Sequence, residues 1–116
     1  MSIETLENAT VSRTATARFF SILGDPTRLA ILELLLEAPC SVSELVNSLG
    51  MSQGRVSNHL ACLRWCEFVK FEKVGRRVIY RVSDARVAEL MAMAGLLSAE
   101  HCEHLASCAR IGPDWL

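Results

Sequence analysis

Aromatic side chains are scarce, at 6% of 116 residues. A core with so few rings must be aliphatic, built from Leu, Val, Ile, Ala and Met, and that favours helices over a β-sandwich. An excess of charge is also missing: the net charge is −1, so no global imbalance announces nucleic acid or a membrane surface. No stretch approaches the ~18 uninterrupted apolar residues of a membrane span. Met1 to Thr10 lacks a charged n-region followed by an apolar one, so no secretory signal is expected and a cytoplasmic location is. The length excludes the large α/β enzyme folds, which need roughly 200 residues or more. No Ser/His/Asp set, phosphate loop or paired-carboxylate cleft is legible, and the chain reads as a non-enzyme. Internal repeats and low-complexity segments are absent as well.

With 51% apolar residues, the chain must nevertheless fold. The expectation is one domain over residues 1–116, with a Cys/His-rich tail from about residue 100. Five cysteines are present. In a cytoplasmic chain they read as thiols, metal ligands or redox groups rather than a disulfide framework.

Apolar periodicity places the elements. Val11, Ala15, Phe19 and Ile22 recur at three- and four-residue spacing, predicting a helix from about Thr10 to Leu23 that Gly24 stops. Asp25 and Pro26 suit the N-cap and first position of a second helix. Leu29, Ile31, Leu32, Leu35 and Leu36 make that helix central to the core, and Pro39 ends it. Ser41 and Glu44 have the spacing of a capping box for a short helix carrying Val42, Leu45, Val46 and Leu49. Gly50 closes it, and Ser52 caps a further helix to Trp65 or Cys66. Short helix, glycine turn and second helix form a helix-turn-helix pattern.

The period then changes. Phe68 to Glu72 and Val78 to Val82 are β-prone runs around Gly75-Arg76-Arg77, and they read as a hairpin with a basic tip. Ser83 or Asp84 caps a last helix to about Ala99, with Val87, Leu90, Met91 and Ala94 on one face. The fold class is therefore mainly α with a small β-hairpin: a winged helix-turn-helix. The first and last helices carry more apolar stripe than a small core absorbs, which suits a homodimer interface.

Charge is unevenly placed. Between Arg55 and Arg81 stand Arg55, Arg64, Lys70, Lys73, Arg76, Arg77 and Arg81 against only Glu67 and Glu72, while the rest is net acidic. Positive charge on a helix-turn-helix and its wing fits phosphate contacts to double-stranded DNA. Ser52, Gln53, Arg55, Ser57, Asn58 and His59 cluster in the first half of the second motif helix, the half that enters a major groove. Val56, Leu60 and Leu63 form its buried stripe. His59 borders that stripe, so a base or phosphate contact and a bond to a backbone group both stay open. Arg76 and Arg77, at the hairpin tip, are expected to contact phosphate.

Cys62 and Cys66 stand four apart on the same helix, which puts both thiols on one face, about 6 Å apart at Cβ. They lie to one side of the buried stripe, and one ion can take both. His101, Cys102, His104 and Cys108 could complete the site from the tail. Sulfur ligands without carboxylates suit Cd(II), Pb(II), Hg(II), As(III), Cu(I) and Zn(II), and disfavour Mg, Ca or Mn. Cys40 reads first as structural.

The runs Leu23-Gly24-Asp25-Pro26-Thr27-Arg28-Leu29, Ser52 to Leu60, and Gly75 to Tyr80 resemble the ArsR/SmtB family of metal-sensing repressors, over about Arg18 to Ala99. The resemblance implies a winged-helix homodimer that represses its operon when metal-free and leaves DNA when metal binds. One family site uses histidines on the last helix; Arg86 and Leu97 stand in their places here. Another uses a cysteine where this chain has Ser41 beside Cys40. Ser57 to Cys66 is instead similar to the run in cadmium- and lead-sensing members, which add a tail cysteine from the other subunit. That implies Cys62 and Cys66 as ligands with Cys108 or Cys102, spacing from Asp84 favouring Cys108, and Cd or Pb as the effector, with Zn, Hg or As(III) as alternatives. Two rival readings keep the fold. In one the thiols sense redox state by forming a disulfide. In the other the module binds protein and no DNA.

Overall fold

Neither glycine nor proline occurs before Gly24, so nothing in the chain breaks a helix there. In the computed structural model, which describes residues 3–101, 103 and 104 and side chains from Asn8 onward, α1 runs Ile3–Leu23. It starts earlier than the apolar stripe from Thr10 suggested. A helix needs no apolar residue to continue, only the absence of a breaker.

The connection to α2 (Pro26–Glu37) is two residues long. Asp25 is extended, and its carboxylate accepts the N–H groups of Thr27 and Arg28 at 2.9 and 3.0 Å. Two otherwise unpaired donors of the first turn are thereby satisfied. The hydrogen bond from the Arg28 N–H above all, joined by the positive charges of Arg28 and His59 and then by the Thr27 N–H, holds the Asp25 carboxyl below its ordinary pKa although burial pushes it up. Ile31, Leu32 and Leu35 of α2 are buried, as its composition required.

Cys40 and Ser41 form a short strand, β1 (Cys40–Ser41), before α3 (Val42–Leu49). Two residues are too few for an alternating pattern, so this strand has no signature in the sequence. The Ser41–Glu44 capping box is present in both directions. Gly50 ends α3 in the left-handed region at φ 66°, where a side chain would be strained.

α4 (Gln53–Trp65) follows, capped by Ser52, whose hydroxyl accepts the Arg55 N–H at 3.3 Å. Its buried stripe is Val56, Leu60 and Leu63, packed in the core with Leu45, Phe68 and Val69. β2 (Val69–Val74) and β3 (Arg77–Val82) pair antiparallel, and β3 also pairs with β1, giving the order β1-β3-β2. The hairpin turn is only Gly75-Arg76. Gly75 takes φ 64°, the first-position glycine that a tight two-residue turn asks for. Arg77 therefore lies in β3 opposite Val74, not at the tip.

Two compact units are distinguished, one through Asp84 and one from Ala85. The second contains α5 (Arg86–Glu100). Its N-cap is Ala85, without a side-chain cap bond. Ser83 and Asp84 fall short because Ala85 is already in helical conformation and its carbonyl accepts the Ala88 N–H at 3.1 Å. Met93, Leu96 and Leu97 are exposed, while Leu90 and Met91 are half-buried. The architecture is mainly helical with a small three-stranded antiparallel sheet, a winged helix-turn-helix. No helix among the described residues is long and apolar enough to cross a membrane.

Candidate nucleic-acid interface and thiol pair

Burial of Val56, Leu60 and Leu63 turns the opposite side of α4 outward. Ser52, Gln53, Arg55, Ser57 and Asn58 are all exposed, and hydroxyl, amide and guanidinium groups so placed can bond base edges and phosphates. His59 differs. It is half-buried, and its charge is felt by the Asp25 carboxylate at the start of α2.

The wing carries less free charge than its composition suggests. Arg77 donates to the Glu44 carboxylate and, at 3.4 Å, to Ser41 Oγ. It thus ties β3 to the cap of α3. Bonds from the Ser41 backbone and hydroxyl, then the Arg77 guanidinium, hold the Glu44 carboxyl below its ordinary value. Arg81 is paired with Glu72. Arg64 lies over the Phe71 ring at 4.3 Å. Arg55, Lys70, Lys73 and Arg76 remain exposed on the recognition helix and wing.

The end of α4 is built by its last hydrogen bonds. The Phe68 N–H reaches back to the Leu63 carbonyl at 2.9 Å and the Glu67 N–H to Arg64 at 3.0 Å. This is the Schellman pattern, with Cys66 as C-cap and Glu67 in the left-handed position at φ 63°. Buried Phe68 stacks on Phe19 of α1, ring centroids 4.8 Å apart. The chain reversal leaves Cys66 exposed and Cys62 half-buried, one turn apart on the helix, with the Cys66 N–H donating to the Cys62 carbonyl at 3.1 Å. Burial, and then the neighbouring Cys62, push the Cys66 thiol above its ordinary pKa. Cys66 borders a groove of about 510 Å³ that Phe19, Ile22, Trp65 and Phe68 also line.

Arg28 completes this corner. Its Nε donates to the Ile22 carbonyl at 2.8 Å, and its Nη1 reaches Cys62 Sγ at 3.5 Å. Nothing in the sequence marks Arg28 for this place, because a contact between residues 34 apart leaves no local pattern. Glu44 was likewise legible as a cap and not as the partner of Arg77.

Cys62 and Cys66 are therefore brought together. Cys102 and Cys108 lie outside the described residues, and His101 and His104 are exposed. Cys40 donates from β1 to the Ala38 carbonyl at 3.2 Å, and burial raises its thiol pKa. Among the described residues no group of three or more His, Cys, Asp or Glu side chains could hold a metal ion. Two adjacent thiols fit a soft ion and make half or two-thirds of a site.

Comparison with known proteins bears on the same segments. Residues 25–70 match the model of the bacterial regulatory protein, arsR family. A probable mercury resistance operon repressor from Streptomyces lividans is 41% identical over 110 residues, 95% of this chain and 88% of that protein. The solution structure of a homodimeric winged helix-turn-helix DNA-binding domain from Mycobacterium bovis, described as a possible ArsR-family regulator, superposes with a TM-score of 0.74 at 29% identity, covering 82% of this chain and 88% of that one. The structure of the cadmium sensor CmtR from Mycobacterium tuberculosis superposes with a TM-score of 0.58 at 40% identity, covering 66% and 80%.

Proposed function

Since the chain belongs to the arsR family of bacterial regulatory proteins, a family of transcriptional regulators and not of enzymes, we propose that it is a homodimeric repressor that holds operator DNA when metal-free and releases it when a soft, thiophilic ion binds. Ser52, Gln53, Arg55, Ser57, Asn58 and His59 would read the major groove and Arg76 would meet phosphate, while Arg77, expected from the sequence to do the same, is instead engaged by Glu44 and Ser41. Cys62 and Cys66, with Cys108 or else Cys102 from the tail, would hold the ion. The observation that carries this reading is the placement of Cys62 and Cys66 one turn apart at the end of α4, the helix whose other end presents the polar DNA-facing set.

The donor set fits a cadmium- or lead-type ion, the effector the sequence favoured, with mercury, zinc and arsenite as alternatives. Two relatives carry cadmium and mercury in their descriptions, and both ions prefer thiolates over carboxylates. When bound, such an ion supplies a fixed centre for three sulfurs. The chain does the rest. Cys66 is the cap of α4, so restraining it restrains the end of the DNA-reading helix. Exposed Val11 and Phe20 on α1, and Met93, Leu96 and Leu97 on α5, supply apolar surface for the dimer. A bias of only a few kcal/mol between dimer geometries suffices to change DNA affinity by orders of magnitude.

Titration of the reduced protein with Cd(II), Pb(II) and Hg(II) tests the reading, followed by sulfur-to-metal charge-transfer absorption and by gel shift on the upstream DNA. Cys62→Ser and Cys66→Ser should each lose the absorption and the metal-driven release while retaining metal-free DNA binding. Cys108→Ser should lose the response and Cys102→Ser keep it. Release of DNA from Cys62→Ser at the wild-type metal concentration would sink the assignment. Two thiols one helical turn apart also favour a redox reading. Oxidant-dependent release with no tight metal binding would replace the metal by a disulfide.

A further inference from the structure

Arg28 sits in the first turn of α2, but its side chain serves two other helices. Its backbone N–H is taken by the Asp25 carboxylate at 3.0 Å. Its Nε is taken by the Ile22 carbonyl, in the last turn of α1, at 2.8 Å. That carbonyl is among those a helix end leaves without a helical partner. Arg28 is thus half-buried and held at its backbone and at Nε, and its Nη1 is left directed at Cys62 Sγ, 3.5 Å away. A neutral thiol is a weak acceptor, whereas an anionic sulfur makes a charge-assisted bond to a guanidinium. Arg28 is also the positive charge acting on the Cys66 thiol.

The charge of the filled site decides what this arrangement is for. A divalent ion that takes three cysteines displaces three protons, and the resulting complex carries one net negative charge. Arsenous acid condensing with the same three thiols releases three waters and leaves a neutral complex. The Asp25 carboxylate also feels the charge of Arg28, but its hydrogen bonds go to the two N–H groups that begin α2, which leaves Nη1 to Cys62.

We propose that Arg28 is a positioning and specificity-determining residue of the thiol site: held by the Ile22 carbonyl, it orients Cys62 Sγ and offsets the negative charge of a trithiolate complex, selecting divalent soft ions over trivalent arsenic. This rests on the metal-sensing reading above.

The test measures Cd(II) and arsenite binding to the reduced full-length protein by charge-transfer absorption and competition, for wild type, Arg28→Met and Arg28→Lys. Arg28→Met should lose about tenfold or more in Cd(II) affinity, the scale of a lost outer-shell partner, and less than about threefold in arsenite affinity. Arg28→Lys keeps the charge and should recover most of the Cd(II) affinity. The 113Cd resonance of Arg28→Met should shift while keeping the position range of an all-sulfur site. Both ions share any partial unfolding of the variant, so the Cd(II)-to-arsenite ratio isolates the charge. An unchanged ratio overturns the proposal, whether both affinities fall together or neither falls. Failure of wild type to bind either ion overturns the metal-sensing reading itself, and the proposal with it.

Discussion

Two adjacent arginines on the wing should behave differently on DNA. Arg76 is exposed in the two-residue turn, whereas Arg77 in β3 is paired with Glu44 and bonded to Ser41. A cation that neutralises one phosphate contributes about 0.9 to the slope of log affinity against log salt. Arg76→Ala should therefore flatten the slope by about 0.9 per protomer. Between 50 and 200 mM salt that amounts to about a 3.5-fold smaller loss of affinity per contact. The charge of Arg77 is already offset by Glu44, so Arg77→Ala should change the slope by less than half as much. Its ion pair is more than half exposed on the Arg77 side chain and half exposed on Glu44, so removing it should change stability little. The Ser41–Glu44 capping box survives the substitution, so α3 should stay intact. Fluorescence anisotropy on a labelled operator at four or five salt concentrations measures both slopes. A slope change for Arg77→Ala equal to that for Arg76→Ala would refute the reasoning, since it would mean that Arg77 abandons Glu44 for phosphate on DNA.

Glu67 occupies a left-handed position at φ 63°, which costs a non-glycine residue about 1–2 kcal/mol. After the extra chain entropy of glycine in the unfolded state, Glu67→Gly should stabilise by about 0.5–1 kcal/mol and raise Tm by about 3 °C; a lower Tm in a thermal melt would show that the Glu67 side chain holds the corner. Asp25 has a folded pKa below its reference value of 3.8. Its contribution is present above that value and lost as pH falls through the folded one. Asp25→Ala should thus cost about 1 kcal/mol at neutral pH and progressively less as the pH falls below the reference value of 3.8, as read by urea unfolding above and below it; a cost independent of pH would contradict the cap argument.

Much of this protein was legible from local rules. Asp25, Ser41, Gly50 and Ser52 mark helix ends because capping chemistry acts over three or four residues, and each is where expected. The stripe Val56, Leu60 and Leu63 follows from helical periodicity, which also predicted that Cys62 and Cys66 would face one way. Where local rules were silent, the expectations slipped. α1 begins earlier than its stripe, and β1 is too short to show a pattern. Arg77 moved from the tip into β3 because a glycine at positive φ closes the hairpin in two residues.

The sequence by itself determined the helix order, the motif on which polar and basic residues cluster, and the spacing of the thiols, since all of these depend on residues within a turn or two of each other. Only the tertiary structure decided which charges are free and which thiol has a cationic neighbour. Arg77 meets Glu44 across 33 residues and Arg28 meets Cys62 across 34. Contacts that distant arise when the core packs and leave no periodicity in the chain.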